Sequence, residues 1–204
     1  MSTRRFMFII TILILALAAT GSAIWLTLKS HRGAIVSVLD IGGPFSLLDH
    51  TGKRVTEADY AGRVQVIFFG YTYCPDICPT DLQQIGLAME QLGDDAKHVQ
   101  PLFITLDPER DTAEHLAQYV PLFHPRLLGL TGGNADIAKA ADAYRVYYKR
   151  VKTGDKPGDY TVDHSAFIYL VDRDGKYLGF FPPGTDAPRL VEMIRPHLAG
   201  KPER

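Results

Sequence analysis

The stretch RVQVIFFG, Arg63 to Gly70, is apolar from Val66 onward and presents no polar face. A strand of that kind is buried on both sides, so layers of structure must cover it above and below. A second run, VQPLFITLD, repeats the pattern from Val99 to Asp107. Between the two, Leu82, Ile85, Met89 and Leu92 recur at helical spacing, and Gly93 supplies a stop.

The remaining elements follow from local signals. Phe45, Leu47 and Leu48, the turn cluster Asp49-His50-Thr51-Gly52 and then Val55 read as a small β-hairpin. Asp111 with Glu114 resembles a capping box that opens a helix from about Thr112 to Tyr119. RLLGL is a short strand, Asn134 caps a helix to about Ala143, and YRVYYKRV alternates as a strand. AFIYLVDRDGKYLGFF is a hairpin turning at Asp174-Gly175, and DAPRLVEMIRPHL closes as a helix. KRVKTGDKPGDYT, between Tyr148 and Val162, reads as an exposed, mobile loop. Strands alternating with helices imply an α/β fold, and this order suits a thioredoxin-like sheet with an N-terminal β-hairpin. The domain is expected over 41–199, with a tail at 200–204. No basic block stands out and the formal net charge is -1, which argues against nucleic acid as a partner.

Residues 6–28, FMFIITILILALAATGSAIWLTL, carry no charge. As a helix they would span roughly 35 Å, enough for a bilayer core of about 30 Å. Trp25 sits near the far end, where an interfacial aromatic belongs. The predicted organisation is therefore a membrane anchor over 1–28 and a tether over 29–40. A cleaved signal peptide is the alternative, with Gly21-Ser22-Ala23 as its cleavage site. Against it, apolar residues continue through Ile24, Trp25 and Leu26. Arg4 and Arg5 before the span are balanced by Lys29 and Arg32 after it, so charge orients it only weakly. The simplest topology exports the globular part into an oxidising compartment.

The 204 residues hold two cysteines, Cys74 and Cys78, within YTYCPDICPTD. Each precedes a proline, and a residue before proline is pushed out of the α region. The pair is thus not expected at i and i+4 of one regular helix. Cys74 is predicted in a loop and Cys78 at a helix N-cap, with Pro79 at the first helical position and the helix dipole favouring the Cys78 thiolate. Three chemistries fit: a structural disulfide, which would remove little loop entropy, a redox dithiol, and a soft metal site for copper(I) or zinc. A metal would need a third ligand. His31 falls in the tether and His50 in a turn. His98, His115, His124 and His197 fall on helix ends or faces and read as solvated. His164 differs, standing in YTVDHSAFIYL between a polar loop and a buried strand, where a core or surface histidine is as good an account as a ligand.

FFGYTYCPDICPTDL, LDPERDT and DYTVDHSAFIYLVDRDG, in that order and spacing, resemble the Sco/SenC family of copper-binding assembly proteins. The resemblance runs from about Gly42 to the final helix. It implies a thioredoxin-like domain on a single transmembrane helix, with one copper, Cu(I) or Cu(II), held by Cys74, Cys78 and His164. It further implies a metallochaperone that helps mature the binuclear copper centre of cytochrome c oxidase. Its partners would be the copper-site subunit of that oxidase, a copper donor and a thiol reductant. Its place would be the inner membrane, single pass, with the globular domain on the periplasmic or equivalent exported side. The alternative within the family is a thiol-disulfide reductase acting through Cys74 and Cys78, and the same donor set also suits zinc. Tyr73 departs from the histidine or phenylalanine of many relatives and is not a ligand. Asp163 or a backbone carbonyl could orient the free nitrogen of His164, with an ordinary turn residue the favoured account of Asp163. Asp107, Arg110 and Asp111 are expected to form an ion-pair network beside the site, with helix capping an equal account of Asp111.

Overall fold

Three parallel strands form the centre of the molecule, and antiparallel strands extend the sheet on both sides. The computed structural model describes residues 41–156 and 158–198, all within the unit Asp40–Arg204. The expected anchor over 6–28, the tether and the tail at 200–204 lie outside the described residues. Among the described residues no helix is long and apolar enough to cross a membrane.

The strands are β1 (Ser46–Asp49), β2 (Arg54–Thr56), β3 (Val64–Gly70), β4 (Val99–Thr105), β5 (Leu128–Thr131), β8 (Ile168–Val171) and β9 (Tyr177–Phe181), in the sheet order β2-β1-β5-β4-β3-β8-β9. β3 and β4 pair in parallel from Val64↔Val99 to Gly70↔Thr105, and β4 pairs with β5 in parallel. Every residue of β3 and β4 is buried, Gln65, Gln100 and Thr105 included, as their mostly apolar runs lead one to expect. Phe68, Phe69 and Phe103 are fully buried at the centre of the core.

The helices are α1 (Ile77–Leu92), α2 (Ala113–Tyr119), α3 (Asn134–Ala143) and α4 (Ala187–Ile194). Leu82, Ile85, Met89 and Leu92 of α1 are buried, as their spacing predicts. Two cap expectations are corrected. Thr112, not Asp111, caps α2 and accepts the His115 N–H through its side chain. Asp111 is instead wholly buried, because hydroxyl donors surround it. Gly133 caps α3, which places Asn134 at the first helical position.

The predicted polar loop is also corrected. Much of it is strand: β6 (Tyr148–Lys152) and β7 (Tyr160–His164) pair antiparallel from Tyr148↔His164 to Lys152↔Tyr160 as a separate two-stranded sheet. Thr161, Val162 and Asp163 alternate in burial, with Val162 buried and Asp163 exposed. That period-two pattern was masked by the Gly, Asp and Lys residues on its N-terminal side.

Candidate metal centre

β3 ends in Gly70, and the chain turns through Tyr71, Thr72 and Tyr73 before Cys74. The turn is pinned from below. Thr72 N and Oγ1 donate to the Asp111 carboxylate at 3.0 and 2.5 Å, and Thr105 Oγ1 donates to it at 2.6 Å. A backbone bond from Cys74 N to the Tyr71 carbonyl, 3.3 Å, closes the turn.

Cys74 stands in the loop as predicted. Cys78 does not cap the helix: α1 begins at Ile77 behind Asp76, so Cys78 lies inside the first turn. Pro79 still lacks an N–H only where no intrahelical partner is needed, so the first turn tolerates it. The Cys78 N–H, free at this position, points back to Cys74 Sγ at 3.4 Å. Cys78 is completely buried, while Cys74 is half-buried, and both are free thiols. A Cβ on Gly70 would stand 3.0 Å from Cys78 Sγ, so the glycine leaves the room that the sulfur occupies.

The thiolate also falls on the other residue from the one predicted. A hydrogen bond from the Cys78 thiol holds the Cys74 pKa well below the ordinary thiol range, against the cost of its burial. The same bond pushes Cys78 upward, with burial and the Cys74 charge adding to it. The helix N-terminus thus serves the partly exposed sulfur through the Cys78 amide, and the buried sulfur keeps the proton.

His164, at the end of β7, meets this pair. Its Nε2 lies 3.5 Å from Cys78 Sγ, and its Nδ1 lies 3.1 Å from the Ser165 carbonyl. With Nδ1–H donated to that carbonyl, Nε2 keeps its lone pair for the sulfur side. The orienting group is therefore the carbonyl, and Asp163 is exposed. The rings of Phe68 and Tyr71 stand edge-on to the imidazole at 6.5 and 5.9 Å.

A sulfur and a nitrogen bound to one metal at roughly 2.3 and 2.0 Å stand about 3.5 Å apart in tetrahedral geometry. The spacing of Cys78 and His164 matches that value, and the donor set is soft. Among the described residues no three His, Cys, Asp or Glu side chains are already closed into a metal cage. The two thiols and the imidazole are disposed as hydrogen-bond partners.

The other described histidines stand elsewhere. His50 and His124 accept backbone N–H groups of Gly129 and Arg126, and His115 meets Thr72 Oγ1 at 2.9 Å, so His115 and His124 are bonded rather than simply solvated. His31 lies outside the described residues. The expected ion-pair network is present: Asp107, fully buried, receives Arg110 and also Arg150, whose Nη2 is 3.0 Å away. Asp111 takes no part in it.

Several contributors escaped the sequence reading. Tyr71 shields the imidazole, and its only signal was its place beside the cysteine motif. Asp81 is fully buried one turn after Cys78, with Oδ1 accepting the Gly184 N–H at 2.8 Å and Oδ2 without a partner. Burial pushes its pKa up. An acidic residue past the first turn of a helix reads as part of a solvated face, so its burial was not legible in the sequence.

The family model described as SCO1/SenC matches residues 35–199. Among curated relatives, the mitochondrial SCO2 homologue of Mus musculus is 46% identical over 77% of this chain and 62% of its own length. The corresponding Bos taurus protein is 40% identical over 92% of this chain and 75% of its own length. Among solved structures, copper-bound ScoI of Bradyrhizobium japonicum is 46% identical, with a TM-score of 0.72, covering 77% of this chain and 99% of that one. Copper-bound ScoI of Arabidopsis thaliana is 40% identical, with a TM-score of 0.71, covering 78% and 98%. BsSco is described as a member of the Sco family of cytochrome c oxidase assembly proteins with a disulfide switch. At 21% identity and a TM-score of 0.61, covering 80% and 96%, it shares the fold.

Proposed function

This chain belongs to the SCO1/SenC family, and on that premise we propose that it is a copper carrier serving the assembly of cytochrome c oxidase. Copper is its cargo, held by Cys74, Cys78 and His164. The observation that carries this reading is the 3.5 Å approach of His164 Nε2 to Cys78 Sγ, with Cys74 alongside. It occurs in a chain 46% identical to a protein solved with copper bound.

Each residue has a distinct part. Cys74, ionised and half-exposed, offers a thiolate where an ion arrives. Cys78 must give up its proton to become the second donor. His164 supplies the borderline nitrogen, oriented by the Ser165 carbonyl. Two thiolates and one imidazole suit copper(I), and three protein donors leave a position open for transfer. The carrier is expected on the inner membrane, anchored by residues 6–28, with its domain on the exported side. Its recipient is expected to be the copper-site subunit of the oxidase.

The test is copper stoichiometry of the reduced full chain. About one copper per chain is expected, falling sharply in Cys74→Ser, Cys78→Ser and His164→Ala. Unchanged tight binding in His164→Ala overturns the ligand assignment.

A second reading is favoured by the asymmetry of the two sulfurs. A half-exposed thiolate backed by a buried thiol is the arrangement of an attacking and a resolving cysteine. Reductase activity toward an oxidised target should then vanish in either cysteine variant and survive in His164→Ala.

A further inference from the structure

Neither strand of the β6–β7 hairpin pairs with the seven-stranded sheet. The hairpin nonetheless carries His164 to within 3.5 Å of Cys78, so groups other than a strand ladder must fix its seat. The strongest of these gather on Asp107, just beyond the end of β4. Tyr160 Oη, from β7, donates to both Asp107 oxygens at 2.8 and 3.0 Å. Arg150, from β6, donates to Oδ1 at 3.0 Å. Both strands of the hairpin are thus tied to one buried carboxylate of the body.

Arg110 completes the cluster. Its Nε bonds Asp107, and its Nη1 donates to the Tyr160 carbonyl at 3.1 Å. Its guanidinium lies 3.8 Å from the centre of the Tyr160 ring and 4.6 Å from that of Tyr73, the neighbour of Cys74. The cation therefore bridges the hairpin and the cysteine turn. A charge-assisted bond is worth more than a neutral one, and Asp107, the common acceptor, is fully buried, although Arg150 reaches it from a side chain that is 38% exposed.

We propose that Asp107, Arg110, Arg150 and Tyr160 form a latch that positions His164. Closed, it seats the hairpin so that the imidazole meets the two thiols. Loosened at Tyr160 or Arg150, it withdraws the nitrogen donor, while the turn that carries the cysteines stays pinned through Thr72 and Asp111 and keeps its contact with Arg110. The leverage is favourable. Four residues at roughly 3.3 Å each put His164 about 13 Å along β7 from Tyr160. A tilt of about 5° over that length moves the imidazole by about 1 Å, enough to break a metal bond. These four are positioning residues, since none is a proposed donor. The inference rests on Cys74, Cys78 and His164 being the copper site.

The test uses the reduced full chain in detergent, with Tyr160→Phe and Arg150→Gln each placed in the native and the His164→Ala backgrounds. Copper affinity should fall about tenfold in the native background. It should not fall further in the His164→Ala background, because the latch acts only through the imidazole. A loss that persists undiminished without His164, or no loss in either background, overturns the latch. A second readout needs no metal. Amide hydrogen exchange over Tyr148–Lys152 and Tyr160–His164 should quicken in both variants more than exchange in β3 and β4, and the His164 imidazole resonances should shift. Unchanged exchange and resonances overturn the latch as well. If the native chain takes up no copper, the site reading fails, and the metal-free readout still decides the latch.

Discussion

Asp111 is held by hydroxyls and an amide rather than by a cation, and that choice has a pH signature. Burial pushes its carboxyl above the ordinary value, the bonds from Thr105 and Thr72 pull it partly back, and the charge of Asp107 adds to the rise. A carboxyl whose folded pKa is raised contributes stability that is fully present below its unfolded value, near 3.9. That contribution is lost as pH climbs through the folded value. The advantage of the native chain over Asp111→Asn should therefore be largest at the acid end and shrink as pH rises from about 4. Urea midpoints measured from pH 4 to 7 check this, and an advantage that grows with pH would contradict it. At this scale the sequence was informative where chemistry is local. Two cysteines at CPDICP announced themselves, whereas His164 needed the family resemblance because it lies far along the chain. Arg150 and Tyr160 could not be found at all. Their partner Asp107 depends on how a hairpin folds back, and a charged residue on an alternating strand reads as a solvent face.

Between elements, α1 comes close to the segment after α2 at Gly86. A Cβ there would stand 2.4 Å from the Phe123 carbonyl oxygen, a backbone atom that cannot swing aside. Alanine is the better helix former by about 1 kcal/mol, yet Gly86→Ala should destabilise the domain by about 1–3 kcal/mol through overpacking. The denaturant midpoint measures the sign, and a gain in stability would mean that the segment yields. The same helix shows how far pattern reading reaches. Its buried stripe from Leu82 to Leu92 was legible from periodicity, but its start was not. Pro79 suggested that Cys78 lies outside the helix, whereas the first turn accommodates a proline without losing a bond. The β6–β7 hairpin was half visible, since YRVYYKRV alternates while the matching strand hides behind a polar approach.

For the whole molecule, the thioredoxin-like order of β3, α1 and β4 was written in two strands that are apolar over most of their length. No amphipathic reading can place such strands on a surface. The expected anchor over 6–28 has its own test. The full chain should stay with membranes under alkaline carbonate washing, and a chain lacking residues 1–28 should not. Release of the full chain by that wash would count against a retained span. The unequal burial of the two sulfurs imposes an itinerary on whatever exchanges there. At the proposed site an approaching thiol or metal-binding group would meet Cys74 first, since Cys74 is partly exposed and Cys78 is buried close to Gly70. On that reading arrival and departure would share one doorway, with the outer sulfur the first bond made or broken by a visitor and the inner sulfur the last to let go.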